Sequence, residues 1–481
     1  MSIIPTPKKV CPALEQAQLM KFSPAVSPSV EYDSAVRTFI TYANKMHDVS
    51  IGIRENSCIR VFHDSQMREE AYKIEIGEDA VNIYAGDDAG ANHAFATLLQ
   101  MLVVDEGSIF LPAVTIEDAP DSLFRGLMMD LSRNRHAFEY LKIYVDMCYF
   151  YKLSMLHLHF TDDHSYSLPS QLYPKLTTEG CSYTREQIDE IVEYAHVRGV
   201  QIVPEIDVPG HCRSFGEAYG EIFGTKGVIC QHKESMEAMK NLFRELCDMF
   251  PHSKYIHIGG DEAYTMEEWT KCPSCLEYAK SVGIDTEMQD KRQLAELFYA
   301  HFISEMAGVC LEKGRQPIVW EGFGKSVNDK ISKNIWVMAW ENYYQLTSDL
   351  LEAGFKVINC SWNPTYITPH INWTPEDIFN WSIYSWNAVH EESPILHTGY
   401  QCSPNPQVIG GQLVVWGDHY VEKFLDDEKR VLEECKEIID RLPMTSENTW
   451  NAQKVTAYRS FEKATKDLLR CTQSVFAAVI E

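Results

Sequence analysis

Residues 255–264 read YIHIGGDEAY, an alternating apolar run that ends in two glycines and then two adjacent carboxylates, Asp261 and Glu262. Neighbours in a regular strand point to opposite faces, so side-by-side acids would not normally share a pocket. Gly259 and Gly260 give the backbone freedom for an irregular turn that aims both inward. Adjacent carboxylates between apolar walls push one pKa up and leave the other ionised. The expected division is Glu262 as a protonated acid that donates to a leaving group, with Asp261 an anion that steadies developing positive charge. Acids at an ordinary helix N-terminus are the bland alternative, which leaves the two glycines unexplained.

The elements that must position this pair follow from the rhythm of the chain. After a Pro-marked seam, EDAPDS near residue 120, apolar runs of five to eight residues alternate with amphipathic helical stretches. The runs fall at 125–132, 154–160, 200–207, 254–260, 316–322, 334–340, 356–361 and 410–417. Eight β-then-α units of this kind predict an α/β fold, a (β/α)8 TIM barrel over 121–481 with C-terminal helices packed outside it. Helix TREQIDEIVEYAHVRG, capped by Thr184 and closed at Gly199, is the clearest of the intervening segments. An open doubly wound sheet is the alternative, but no Gly-rich phosphate loop follows the first run. Ahead of the seam, 1–120 reads as a small α+β domain. It is Pro-rich and irregular to about residue 30, then strand-like in VSIGIREN, AYKIEIG and AVNIYAG, with helical spacing in DAGANHAFATLLQMLVV.

A parallel barrel places its active site at the C-terminal strand ends, and the polar and aromatic residues gather there. The second run ends in HLHFTDDH, offering His157, His159, Asp162 and Asp163; the third ends in PEIDVPGH, offering Glu205, Asp207 and His211. Trp320, Trp340 and Trp416 end the fifth, sixth and eighth, and Tyr366 follows the seventh. Taken singly, these acids could be interior ion pairs, the histidines satisfied core imidazoles and the tryptophans core. Collected at one rim, the aromatic faces make a surface on which a sugar ring stacks.

Composition narrows the classes. The 481 residues carry a formal charge of −26, which repels phosphate backbones and anionic lipid, so nucleic-acid and membrane partners are not expected. The first residues, MSIIPTPKKVCPALEQ, show no secretory pattern, and the fourteen cysteines form no dense framework. The expectation is a cytoplasmic protein with reduced thiols, in which the sequons at Asn372 and Asn380 carry little weight. Cys272 and Cys275 in KCPSCLEY form half of a zinc site whose other half is not evident in the sequence. No metal and no cofactor are assigned, and the oligomeric state is unreadable.

HIGGDE resembles the His-x-Gly-Gly-Asp-Glu signature of family 20 glycoside hydrolases, the β-N-acetylhexosaminidases. FRGLMMDLSRN is similar to that family's first barrel strand, LHLHFTDDHSYSLPS to its second, IVPEIDVPGH to its third and VIGGQLVVWGD to its last, in family order from about 124 to 418. The resemblance implies an exo-acting, retaining enzyme that releases terminal non-reducing β-linked GlcNAc or GalNAc from a glycan or glycoconjugate. In that mechanism the substrate's own acetamido oxygen attacks the anomeric carbon to give an oxazolinium intermediate. It further implies Glu262 as acid and later base, Asp261 as partner of the acetamido nitrogen, and His211 with Asp162 as a relay. Tyr366 would bond the acetamido oxygen, Trp320, Trp340 and Trp416 would wall the cup, and Arg125 would hold the 3- and 4-hydroxyls. Two positions depart from the family pattern. Thr368 stands where Asp or Asn is usual, and Asp418 replaces a longer acid, both at the edge that separates gluco from galacto sugars. A non-catalytic HexNAc-binding protein on the same fold is the alternative function, and a metal-dependent hydrolase a third, which lacks supporting ligand spacing.

Overall fold

In the computed structural model of the chain, the described residues are 2–13, 18–47, 49–263, 265–370, 373–423, 427–454, 456–472 and 475–476. Eight parallel strands close into a barrel: Phe124–Asp130, Met155–His159, Gln201–Glu205, Tyr255–His257, Gln316–Trp320, Trp336–Ala339, Lys356–Asn359 and Val408–Val415. Closure is explicit in the register, which pairs Phe124 with Gly410 and Met129 with Val415. Each strand falls on one of the eight apolar runs, because a strand covered on both faces must be apolar almost throughout.

The helical layer is less regular than eight equal units. Helices Phe138–Phe150, Arg185–His196, Lys233–Met249 and Lys291–Glu312 cover the first half, but only a single 3-10 turn, Lys325–Val327, separates the fifth and sixth strands. The connection there begins with Glu321, whose buried carboxylate accepts from the backbone N–H groups of Asn342 (2.9 Å) and Tyr344 (3.2 Å). Arg185–His196 begins with a capping box between Thr184 and Gln187, and Gly199 lies at φ +71° beyond its end. Helix Lys291–Glu312 is long and apolar enough to cross a bilayer, yet Leu294, Phe298, Phe302 and Ile303 are buried within the core. Asp427–Trp450 and Tyr458–Thr472 complete the C-terminal end. The sequon residue Asn372 lies outside the described residues, while Asn380 is the exposed last residue of a short helix, Pro375–Asn380.

The N-terminal unit is a seven-stranded mixed sheet with helices Asp33–His47 and Asp88–Met101. Its first thirty residues are not irregular as expected. Lys9–Pro12 pairs antiparallel with Val114–Asp118, and Leu19–Phe22 with Ser108–Pro112. Strands of four residues give almost no period-two signal, and their partners lie about a hundred residues away in sequence, so pairing rather than pattern creates them. The unit docks on the barrel through a buried polar seam. Trp450 Nε1 donates to Asp118 (2.9 Å), and Lys152 Nζ donates to Tyr72 Oη (2.8 Å).

Candidate active site

The fourth strand is the shortest of the barrel, and the chain leaves it through Gly259 and Gly260 at φ +80° and +105°. A Cβ on Gly259 would sit 1.9 Å from the Asp207 carboxylate, and one on Gly260 would sit 2.8 Å from Tyr299 Oη, so both positions require glycine. Glu262 and His211 themselves hold φ values of +45° and +42°, an uncommon conformation for non-glycine residues that concentrates at functional sites. The result is the shared pocket. His211 Nε2 lies 3.2 Å from Glu262 Oε2 and 3.9 Å from Asp261 Oδ2, so both acids face one imidazole edge.

On its other side His211 Nδ1 lies 3.4 Å from Asp162, which also meets Arg133 Nη2 at 2.6 Å and His159 Nε2 at 3.2 Å. Burial alone would raise the Asp162 pKa, but Arg133 and the surrounding imidazoles hold it well below the carboxylate range. Burial likewise opposes a charge on His211, yet Asp207, Asp162, Glu262 and Asp261 outweigh it and raise that imidazole well above its ordinary value. Asp261 is pushed up to about 6, first by burial, with His211 opposing and Glu262 and Glu205 adding to the rise. Sequence reasoning put the upward push on Glu262; the structure puts one on Asp261, whose side chain is 10% exposed against 30% for Glu262. Asp207, buried beside Asp261, is raised well above its usual range by burial and by that neighbour.

The floor under the pair is a hub around Glu205. Its carboxylate lies 3.1 Å from His157 Nε2, 2.6 Å from His159 Nδ1 and 2.9 Å from His257 Nδ1, and accepts from Trp320 Nε1 at 2.7 Å. His157, His159 and Glu205 are thus mutually satisfied core groups. Trp320 is 1% exposed and forms the bottom of an aromatic cup, 5.9 Å from Trp416. Trp340 lies parallel to Tyr366 at 6.3 Å, and Trp416 leans against Tyr366 at 6.2 Å. Trp362, stacked on Tyr366 at 5.4 Å, extends the wall. Tyr366 is close enough to Asp261 that the acid's charge reinforces the rise that burial gives its phenol. The cup and the acids therefore adjoin. A cavity of about 550 Å³ lined by His211, Arg213, Glu217, Thr225 and Glu262 opens on the outer side of the pair.

Arg125 is not at this site. It opens the first strand at the opposite end of the barrel, is fully buried, and bonds Glu70 of the N-terminal unit through Nη2 (2.6 Å) and Nη1 (3.0 Å), with Nε donating to Lys152 O (3.1 Å). The guanidinium that does reach the rim belongs to Arg133, eight positions later. It pairs with Asp130 (3.0 Å) and Asp162 and lies 5.0 Å from the Trp416 ring centre. Asp130 builds its turn by accepting from the backbone N–H groups of Ser132, Arg133 and Gly417. Burial disfavours the Arg133 charge, but Asp130, Asp162 and Asp418 overcome it, which places Asp418 in the same electrostatic neighbourhood. The signal for Arg133 was in the sequence: SRN follows the C-terminal end of the first run, where barrel sites are built. Thr368 is buried beside a second cavity of about 390 Å³, shared with Trp373, Tyr420 and Arg441.

Residues 123–453 match the Glycosyl hydrolase family 20 catalytic domain, and residues 1–119 match domain 2 of the same family. The chain belongs to glycosyl hydrolase family 20. It is 32% identical over 285 residues to a beta-hexosaminidase of Akkermansia muciniphila, a match covering 53% of this chain and 56% of that protein. It is 24% identical to the beta-hexosaminidase subunit beta of Entamoeba histolytica, over 94% of this chain and 81% of that one. The chain spans 56% and 61% of the lengths of the Akkermansia and Vibrio furnissii relatives it matches. In fold it resembles the exo beta-N-acetylglucosaminidase of Vibrio harveyi, crystallised with N-acetylglucosamine (TM-score 0.80, 22% identity, 99% of this chain and 78% of that one). It also resembles a beta-N-acetylhexosaminidase of Bacteroides fragilis (TM-score 0.78, 22% identity, 100% and 96%).

Proposed function

We propose that this chain is an exo-acting, retaining β-N-acetylhexosaminidase that releases terminal non-reducing β-linked GlcNAc or GalNAc by substrate-assisted catalysis. The observation that carries the reading is that Asp261 and Glu262 face one edge of His211 beside the aromatic cup. The acetamido group sits in the cup, its oxygen accepting from Tyr366 Oη and its N–H donating to Asp261. As the acetamido oxygen attacks the anomeric carbon, the glycosidic C–O bond breaks and Glu262 gives its proton to the departing oxygen. Asp261, ionised above about pH 6, stabilises the positive charge of the oxazolinium. Glu262 then takes a proton from water, which opens the ring with net retention. Arg133, not Arg125, is the guanidinium within reach of ring hydroxyls, and the cavity outside Glu262 receives the leaving group.

Release of the aryl group from an aryl β-N-acetylglucosaminide tests the reading. Turnover by the native chain and its loss in Glu262→Gln support it; binding without turnover in the native chain leaves the non-catalytic sugar-binding reading. Side-by-side GlcNAc, GalNAc and 6-sulfated aryl glycosides define the specificity at the Thr368 and Asp418 edge.

A further inference from the structure

The half-site seen in the sequence, Cys272 and Cys275, is completed in three dimensions by a cysteine forty-two residues upstream. Cys230 Sγ lies 3.3 Å from Cys275 Sγ and 4.0 Å from Cys272 Sγ, and the three sulfurs lie within 4.8 Å of one another. A covalent disulfide requires about 2.05 Å, whereas two thiolates on one tetrahedral zinc, with Zn–S near 2.3 Å, sit about 3.8 Å apart. The observed separations straddle the second value. All three are free thiols.

The local backbone suits thiolates rather than thiols. Cys272 caps helix Pro273–Ser281, with Pro273 in its first turn, so the helix N-terminus directs positive potential at the sulfurs. On the facing loop, Cys230 stands two residues before His232, the N-cap of helix Lys233–Met249. His232 caps that helix through Nδ1, which accepts from Ser235 N (3.3 Å). Two side chains at the start of one helix and one on a separate loop supply three thiolate ligands of the kind that hold a structural zinc.

We propose that Cys230, Cys272 and Cys275 bind a structural zinc ion, with a solvent molecule completing its coordination. Each thiol releases its proton to solvent as its S–Zn bond forms, with no change of oxidation state. The ion fastens the loop after the third barrel strand, which carries His211, to the loop after the fourth, which carries Asp261 and Glu262. Two hydrogen bonds already join those loops, Trp269 Nε1 to Ile229 O (2.8 Å) and Thr265 Oγ1 to Lys226 O (2.8 Å), so the clip reinforces an existing contact. The other clusters of potential ligands among the described residues, such as His157, Glu205 and His257, belong to the barrel hub already described.

The test is zinc content and thermal stability of the whole chain, independent of hydrolysis. Reduced protein supplied with zinc and desalted should carry about one equivalent by elemental mass spectrometry, and stripping it should lower Tm by about 5 °C or more, reversibly on zinc addition. Cys272→Ser with Cys275→Ser should abolish binding, and Cys230→Ser should weaken zinc affinity by at least about tenfold. Cobalt in place of zinc should give thiolate-to-metal charge-transfer absorption, which also reads out any variant that folds poorly. Failure of the reduced native chain to retain zinc or cobalt overturns the proposal, as does a Cys230–Cys275 disulfide in freshly purified protein whose Tm ignores zinc. Retention with an unchanged affinity in Cys230→Ser overturns the assignment of Cys230 as a ligand.

Discussion

The first barrel strand and the turn beyond it carry two arginines, and the two ends of the barrel use them in opposite ways. At the bottom, Arg125 is sealed between the barrel and the N-terminal unit, every nitrogen engaged by Glu70, Ser122 or Lys152. Glu70 is held far below the ordinary carboxylate range because Arg125 and His93 outweigh its burial. At the rim, Arg133 is also paired with acids, but it lies against the partly exposed Trp416 and keeps 14% of its side chain accessible. The same functional group is a domain clamp in one place and a rim cation in the other. What separates them is the strand end at which each stands, not the local sequence.

The largest effect expected at either end is chemical and belongs to the rim: Glu262→Gln should lower kcat about 10³-fold or more on a natural disaccharide, with substrate binding retained by calorimetry. Near-normal turnover in that variant would remove Glu262 from the acid role. Next is the seam. Arg125→Ala leaves the Glu70 carboxylate buried without its partner and should cost about 3–5 kcal/mol of stability by denaturant titration, while KM of the folded fraction holds. A changed KM with unchanged stability would reverse the assignment of the two arginines. Arg133→Lys should show the mirror image, a roughly 10- to 100-fold loss in kcat/KM with little change in Tm, because an ammonium keeps the charge but not the fork.

A pH experiment sharpens the same contrast. The Asp261 folded-state pKa is raised from 3.8 to about 6, so its contribution to stability is fully present below pH 4 and is lost as pH rises through 6. At neutral pH the buried charge therefore destabilises the fold, by roughly 2–3 kcal/mol. Asp261→Asn should raise Tm at pH 7, lose most turnover, and abolish an acid limb of kcat/KM near pH 6; a variant less stable at pH 7 would contradict the strain. The smallest effect is expected at the sugar's edge, where Thr368→Asn should change the GlcNAc to GalNAc ratio of kcat/KM by about tenfold or less in a two-substrate assay.

Sequence legibility tracks the same division. The barrel strands were readable because burial on both faces leaves a local, nearly continuous apolar signature, and the Thr184 cap because its partners lie within four residues. The Asp261–Glu262 pair was readable because its glycines are adjacent to it. Arg125 was misassigned because its role was taken from the resemblance of the first strand as a whole, whereas the strand-end rule pointed to Arg133. The fifth helix was over-read because the strand count implied it. The short N-terminal strands were missed because their pairing partners are remote in the chain.

The sequence alone determined which segments are barrel strands, which residue types crowd their C-terminal ends, and that two acids follow a glycine pair, since all of these depend on neighbours along the chain. Only the tertiary structure decided which arginine reaches the rim, which carboxylate carries the burial, and that Cys230 joins Cys272 and Cys275. Those outcomes depend on distances between residues far apart in sequence, and burial and Coulomb energies are set by those distances.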